Sequence, residues 1–178
     1  LKSGTDRIAQ AIADIDVDIV VNIQADEPEI DPENIDLVAK LLLDNPEYQM
    51  ATLITAFDSP EQVKNPNMVK AVIDSKSRAL YFSRWPVPYD RESEGVGPVG
   101  NYYRHLGIYA YRREFLLSIT NMPQTPLEKA EKLEQLRALE NGYSILTAEV
   151  KHICQGIDTA EQYEAFVERY KQKVQNSD

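Results

Sequence analysis

Apolar positions along the chain switch between a helical and a strand period. Ile8, Ala9, Ile12, Ala13 and Ile15 recur at helical spacing and predict a first helix, closed by the acidic stretch 14–18. Ile19-Val20-Val21 is a short β-branched run and predicts a buried strand over 19–24. Asp31-Pro32 has the chemistry of an N-cap followed by a first helical position, and Ile35, Val38, Leu41 and Leu42 form one stripe before Asn45-Pro46 stops it. A strand over 51–57 follows, then a short helix opened by Ser59-Pro60 and broken at Asn65-Pro66. Residues 69–73 and 79–82 read as two strands of a hairpin or meander. In the strand over 102–112, Tyr103, His105, Gly107, Tyr109 and Tyr111 share one face, and Leu106, Ile108 and Ala110 the other. A short helix over 114–120 precedes the longest predicted helix, from Thr125-Pro126 to Glu140, with Asn141-Gly142 as its stop. A strand over 144–150 leads to a last helix, where Thr159 and Gln162 suggest a capping box. Tyr163, Phe166, Val167, Tyr170 and Val174 define its core stripe. Strands alternating with helices predict an α/β fold, which gathers ligand groups at the carboxyl ends of its strands.

Composition narrows this picture. A chain of 178 residues, 43% apolar, supports a sizeable core in one or one and a half domains. The formal charge of −10 would repel a nucleic-acid backbone, though not an anionic small molecule in its own pocket. No apolar run approaches the roughly 18 residues of a membrane helix, so membrane insertion is not expected. Cys154 is the single cysteine, which excludes an intrachain disulfide and a cysteine-built zinc site; its expected role is a small buried hydrophobe. The chain opens on Leu1 and a polar Lys2–Arg7 stretch, consistent either with loss of an upstream strand or with a trimmed terminus.

Several residues carry candidate chemistry. Asp26, in Asn-Ile-Gln-Ala-Asp-Glu-Pro at 22–28, would sit at a strand tip, where it is either a turn former with Glu27 or a hard oxygen ligand that holds Mg²⁺ against a phosphate. Asp158 precedes the last helix, explained equally by the helix dipole and by a second metal-binding carboxylate. Arg84, at a strand end beside Trp85, either grips a carboxylate in bidentate fashion or is a stacking or surface arginine. Lys70 inside a strand reads as an edge or surface residue in preference to a phosphate ligand. His105, on its aromatic face, is structural or part of a surface for a polyhydroxylated ligand. On a helical wheel Glu134 points into the apolar side and needs a partner or ligand, whereas Gln135 lies off it. Glu128 and Lys132 form a favourable i,i+4 pair. Ser3, Gly4 and Thr5 make a polar turn that caps the first helix or admits a ligand closely. The glycine-rich 90–100 stretch reads as a lid or part of a subunit contact.

Taken together, these segments resemble the bacterial 3-deoxy-manno-octulosonate (Kdo) cytidylyltransferases. The resemblance is carried by Ser-Gly-Thr-Asp-Arg at 3–7, Asn-Ile-Gln-Ala-Asp-Glu-Pro at 22–28, Asn-Pro-Asn-Met-Val-Lys at 65–70 and Ala-Leu-Tyr-Phe-Ser-Arg at 79–84. It continues through Arg-His-Leu-Gly-Ile-Tyr at 104–109, Leu-Glu-Gln-Leu-Arg at 133–137 and Gly-Ile-Asp-Thr at 156–159. Ala25 stands where the family usually has glycine. The resemblance implies a Rossmann-like nucleotidyltransferase fold with a mixed central sheet, as a single domain over 1–178, in which 83–112 supplies sugar binding and dimer contact. It implies attack of the anomeric hydroxyl of Kdo on the α-phosphorus of CTP, giving CMP-Kdo and pyrophosphate for lipopolysaccharide assembly. Asp26 and Asp158 would hold Mg²⁺; Arg84, His105, Tyr109, Glu134 and Gln135 would line the sugar site; Ser3 and Gly4 would lie near the cytosine. A cytoplasmic homodimer is also implied. The alternatives are a cytidylyltransferase for another acidic sugar, such as 8-amino-Kdo or a sialic acid, or a catalytically incomplete binding module. The family's glycine- and basic-rich triphosphate stretch has no match here, so the fold is expected to be N-terminally incomplete.

Overall fold

The computed structural model describes residues 4–25, 28–151 and 159–175. In chain order the elements are α1 (Gly4–Ala11), β1 (Ile19–Asn22), α2 (Pro32–Asp44), β2 (Met50–Ala56), α3 (Pro60–Lys64), β3 (Lys70–Ile73) and β4 (Ala79–Ser83). A 3₁₀ turn (Val99–Asn101) is followed by β5 (Tyr103–Arg112), α4 (Arg113–Asn121), α5 (Pro126–Glu131), α6 (Leu136–Glu140), β6 (Ile145–Glu149) and α7 (Ala160–Gln175). The caps at Asp31 and Ser59 form as their chemistry requires: each side chain accepts from a backbone N–H of the first turn, Glu33 and Gln62 respectively.

The sheet is mixed. Its order is β4-β3-β5-β2-β6, with β1 also pairing with β5; β2 and β6 run parallel and the other pairs antiparallel. β5 is its spine. Along one edge it pairs with β2; β1 meets it at Tyr109–Arg112, and β3 at Tyr103 and Arg104. The carboxyl end of β1 therefore faces the amino end of β3 across residues 105–108, and residues 23–25 leave the sheet beside that gap. β5 also bulges against β2: Thr52 is opposite Tyr109 but Leu53 is opposite Leu106. Because the bulge holds two extra residues, the alternation of faces survives it.

Two apolar layers cover the sheet. On one face Tyr109, Tyr111 and Phe82 pack with Phe115 and Leu116 of α4, Leu136 and Ala138 of α6, and Ala9 of α1. On the other, Leu106, Ile108 and Ala110 pack against Val38 and Leu42 of α2. The two faces predicted for β5 are thus the two faces observed. A smaller cluster of Phe57, Val63 and Tyr102 supports the 90–100 loop, which is closed by reciprocal backbone hydrogen bonds between Asp90 and Gly95.

Four expectations fail. The long helix predicted to reach Glu140 is two helices, because Lys132 adopts a left-handed conformation (φ 57°, ψ 46°) and ends α5. The expected Glu128–Lys132 pair does not form; Glu128 is buried and pairs with Arg137 instead. The apolar stripe of α7 is not a continuous core stripe: Tyr163 and Tyr170 are 57% and 58% exposed while Phe166 and Val167 are half-buried, and Arg169 of this helix forms an ion pair with Glu29. Periodicity marks an amphipathic face but does not supply an element to cover it. α1 also ends at Ala11, short of the predicted Ile15, which is half exposed.

Candidate active site

His105 and Tyr109 lie on the same face of β5, flanking the gap between β1 and β3, with ring centroids 5.2 Å apart. Phe82 of β4 meets His105 edge-on at 4.9 Å, and Tyr111 continues the aromatic row at 5.8 Å from Tyr109. Thr52 orients the histidine. Its hydroxyl lies 2.7 Å from the Ile108 carbonyl, 3.2 Å from that of Leu106 and 3.0 Å from His105 Nε2. A threonine has one proton, and the carbonyls, which only accept, take it; His105 Nε2–H must then donate to Oγ1, leaving Nδ1 unprotonated. Burial, with the positive Arg104 beside it, lowers the His105 pKa to about 3. His105 is thus a neutral acceptor at working pH, suited to a hydroxyl and unsuited to storing a proton.

Glu134 and Gln135 sit in the link between α5 and α6, not inside one helix. Their exposures are the reverse of the helical-wheel expectation: Glu134 is exposed and Gln135 is 5% exposed. The break at Lys132 rotates the chain and turns Gln135 inward. Gln135 Nε2 is buried with no hydrogen-bond partner, and the residue lines a small cleft with Thr5, Met50, Tyr111 and Glu134. A buried N–H donor without an acceptor is costly and marks a place where a ligand's oxygen would be welcome. Thr5 Oγ1 donates to Glu134 Oε2 at 2.5 Å, tying the first helix to this link. Burial raises the Tyr111 pKa, reinforced by the nearby Glu134 charge, so its phenol stays protonated.

Arg84 follows β4 and reaches toward the same link. Its Nε donates to the Glu131 carbonyl at 2.7 Å, Nη1 to that of Pro66 at 3.0 Å and Nη2 to that of Lys132 at 3.5 Å. A guanidinium has five N–H donors, so two stay unoccupied among the described residues. Arg84 is half-buried and anchored, not a loose surface arginine. Lys70 corrects the edge-strand reading outright: β3 lies between β4 and β5, and Lys70 is fully buried.

Of the predicted site residues, the fold brings His105, Tyr109, Glu134, Gln135 and Arg84 to one face of the sheet, where the α5–α6 link lies against the aromatic row. Gly4 begins α1 one residue from Thr5. Ser3, Asp26 and Asp158 lie outside the described residues, as does Cys154. The sequence reading missed Thr52 and Glu131, whose roles depend on partners dozens of positions away.

The cytidylyltransferase family model matches residues 1–152. A 3-deoxy-manno-octulosonate cytidylyltransferase of Rhodopirellula baltica is 49% identical over 173 residues, covering 94% of this chain and 69% of that protein. The chain belongs to the 3-deoxy-manno-octulosonate cytidylyltransferase family. A second family member, from Solibacter usitatus, is 44% identical over 172 residues, covering 97% of this chain and 67% of that protein. In three dimensions the chain is similar to a CMP:2-keto-3-deoxy-manno-octonic acid synthetase solved with CTP. The TM-score is 0.88 at 38% identity, over 97% of this chain and 70% of that one. A 4-diphosphocytidyl-2C-methyl-D-erythritol synthase from Anaerococcus prevotii shares the fold, with a TM-score of 0.55 at 12% identity, over 97% of this chain and 68% of that one.

Proposed function

We propose that this protein transfers CMP from CTP to Kdo, releasing pyrophosphate, and that the described cleft is its acceptor-sugar site. The observation that carries the cleft assignment is the buried, unpartnered Gln135 amide beside the neutral His105 face. A polyhydroxylated sugar acid supplies what this surface lacks: an oxygen for Gln135 Nε2, a hydroxyl proton for His105 Nδ1, and a carboxylate for the two spare N–H groups of Arg84. The aromatic row gives apolar walls that keep water from the acceptor. His105, with so low a pKa, orients the sugar and does not deprotonate it.

Asp26 and Asp158 are the residues that would hold Mg²⁺; two carboxylates are hard oxygen donors and suit that ion. Among the described residues no His, Cys, Asp or Glu cluster forms a metal site. The ion pair from Arg169 to Glu29 ties α7, which follows Asp158, to the segment following Asp26. When bound, Mg²⁺ neutralises triphosphate charge. Ser3 and Gly4, at the entry to α1, would lie near the base. The product would serve lipopolysaccharide assembly, with the enzyme acting as a cytoplasmic homodimer. Trp85 and Tyr89, 76% and 67% exposed at the head of 83–112, offer apolar contact area for a second copy. Among the described residues no helix is long and apolar enough to cross a membrane.

A second reading keeps the chemistry and changes the sugar, since Arg84 accounts for a carboxylate but not for a C8 substituent. Pyrophosphate release, measured with CTP and each of Kdo, 8-amino-Kdo and a sialic acid, separates the two. Kdo is expected to be used most efficiently; no release with Kdo would overturn the assignment.

A further inference from the structure

The Asn-Pro-Asn-Met-Val-Lys segment at 65–70 touches the site described above through the Pro66 carbonyl, and its lysine is held by three hydrogen bonds. Lys70 Nζ donates to the carbonyls of Asn65 at 3.0 Å, Met68 at 2.8 Å and Arg84 at 2.5 Å. That uses all three ammonium protons on backbone oxygens. Glu131 works on the other side of the same residue. Its carboxylate accepts from Arg84 N at 2.9 Å and Ser83 Oγ at 2.8 Å, and its own carbonyl receives Arg84 Nε at 2.7 Å.

We propose that Lys70 and Glu131 are positioning residues that hold the Arg84 guanidinium in the pose in which it meets the carboxylate of the acceptor sugar. The proposal rests on the reading of Arg84 given above. Lys70 fixes Arg84 twice, through Arg84's own carbonyl and through the 65–68 loop, whose Pro66 carbonyl receives Nη1. Glu131 fixes it through its backbone N–H and through Nε. With both peptide groups and the guanidinium held, the two remaining N–H donors have a set direction. A buried lysine bound only to carbonyls is a poor way to stabilise a strand, since an apolar side chain of similar size avoids the desolvation cost. What it adds is geometry: two loops and a strand end joined at one atom.

The test is a double-mutant cycle on the active enzyme, with Lys70→Met and Glu131→Gln each made alone and in an Arg84→Ala background. KM is measured for CTP, for Kdo and for the C1 carboxamide of Kdo. Each single variant is expected to raise the Kdo KM about ten-fold and to erode the preference for carboxylate over carboxamide, while the CTP KM changes by less than about two-fold. In the Arg84→Ala background neither should add anything further. Full additivity there, or an unchanged Kdo KM in the single variants, would overturn the positioning role while leaving Arg84 as a ligand. An Arg84→Ala enzyme that keeps both its Kdo KM and its carboxylate preference would overturn the reading of Arg84 and the proposal with it. Should Lys70→Met fail to fold, Glu131→Gln, which preserves size and one acceptor oxygen, carries the cycle alone.

Discussion

At the scale of single residues, the site is shaped by groups whose surroundings override their usual character. Lys70 is charged in a fully buried position, and burial lowers its pKa to about 8, with Glu131 opposing the shift and Arg84 adding to it. The sign of the resulting linkage is fixed. Between about 8 and the ordinary lysine value of 10.5, the unfolded chain binds more protons than the folded one. Stability contributed by this group therefore rises with pH through that window. Relative to Lys70→Met, the native protein should gain up to about 1.4 kcal/mol per pH unit there, read by denaturant unfolding below and above the window. A constant difference between the two proteins would show that Lys70 does not titrate there. Sequence favours an edge or surface residue over a phosphate ligand for this lysine and does not show its burial, because the strands on either side of β3 are supplied by residues 79–83 and 103–104. His105 was more legible: period-two alternation put it among aromatics, and a bulge of two residues left that alternation intact. Its tautomer was not legible, since it is set by Thr52, more than fifty positions away.

At the scale of elements, the α5–α6 link decides which side chains reach the cleft. The buried Glu128–Arg137 pair holds it. Arg137 Nε and Nη2 bind the carboxylate at 2.8 and 2.5 Å, and Nη1 reaches the Ile119 carbonyl at the end of α4. Burial alone would raise the Glu128 pKa, but Arg137, together with the Thr125 N–H and Gln124, outweighs it and the net shift is downward. Its contribution to stability is thus present above the ordinary glutamate range and lost as pH falls through the lowered value. Arg137→Met leaves a buried carboxylate unpaired and is expected to cost about 3–5 kcal/mol in denaturant unfolding. Converting Glu128 as well should recover much of that loss; a double variant no more stable than the single would refute this account of the pair. The wheel failed at Glu134 and Gln135 because nothing in Glu-Lys-Leu-Glu announces a left-handed residue at Lys132. Lys132→Gly should relieve that conformation and leave stability unchanged or raised by about 0.5–1 kcal/mol, whereas loss of stability would point to a role for the lysine side chain.

At the scale of the whole molecule, the fold gathers distant segments around the middle of the sheet: the exit of β1 and the entry of β3 meet on the spine β5, and the α5–α6 link lies against the aromatic face. The α/β architecture and nearly every strand could be read from periodicity, because each strand pattern is local. The α7 stripe could not be placed, since its cover is a property of the assembled molecule. Asp158→Asn separates a helix-dipole role from metal binding: it keeps the size, removes the charge, and costs no more than about 1 kcal/mol of stability if the dipole is all that the carboxylate serves. Turnover is expected to collapse with little change in melting temperature; near-normal turnover with unchanged Mg²⁺ dependence would end the assignment. Light scattering at micromolar concentration is expected to give the mass of a dimer.

The most direct test of the acceptor-site assignment is the kinetic behaviour of Gln135→Leu. Removing the buried, unpartnered Nε2 donor should leave the fold intact or slightly more stable, because that donor has no partner in the protein to lose. If that amide exists to bind the sugar, the KM for Kdo rises about ten-fold or more while the KM for CTP stays within about two-fold. Unchanged constants for both substrates, or equal increases in both, would contradict the placement of the acceptor sugar in this cleft.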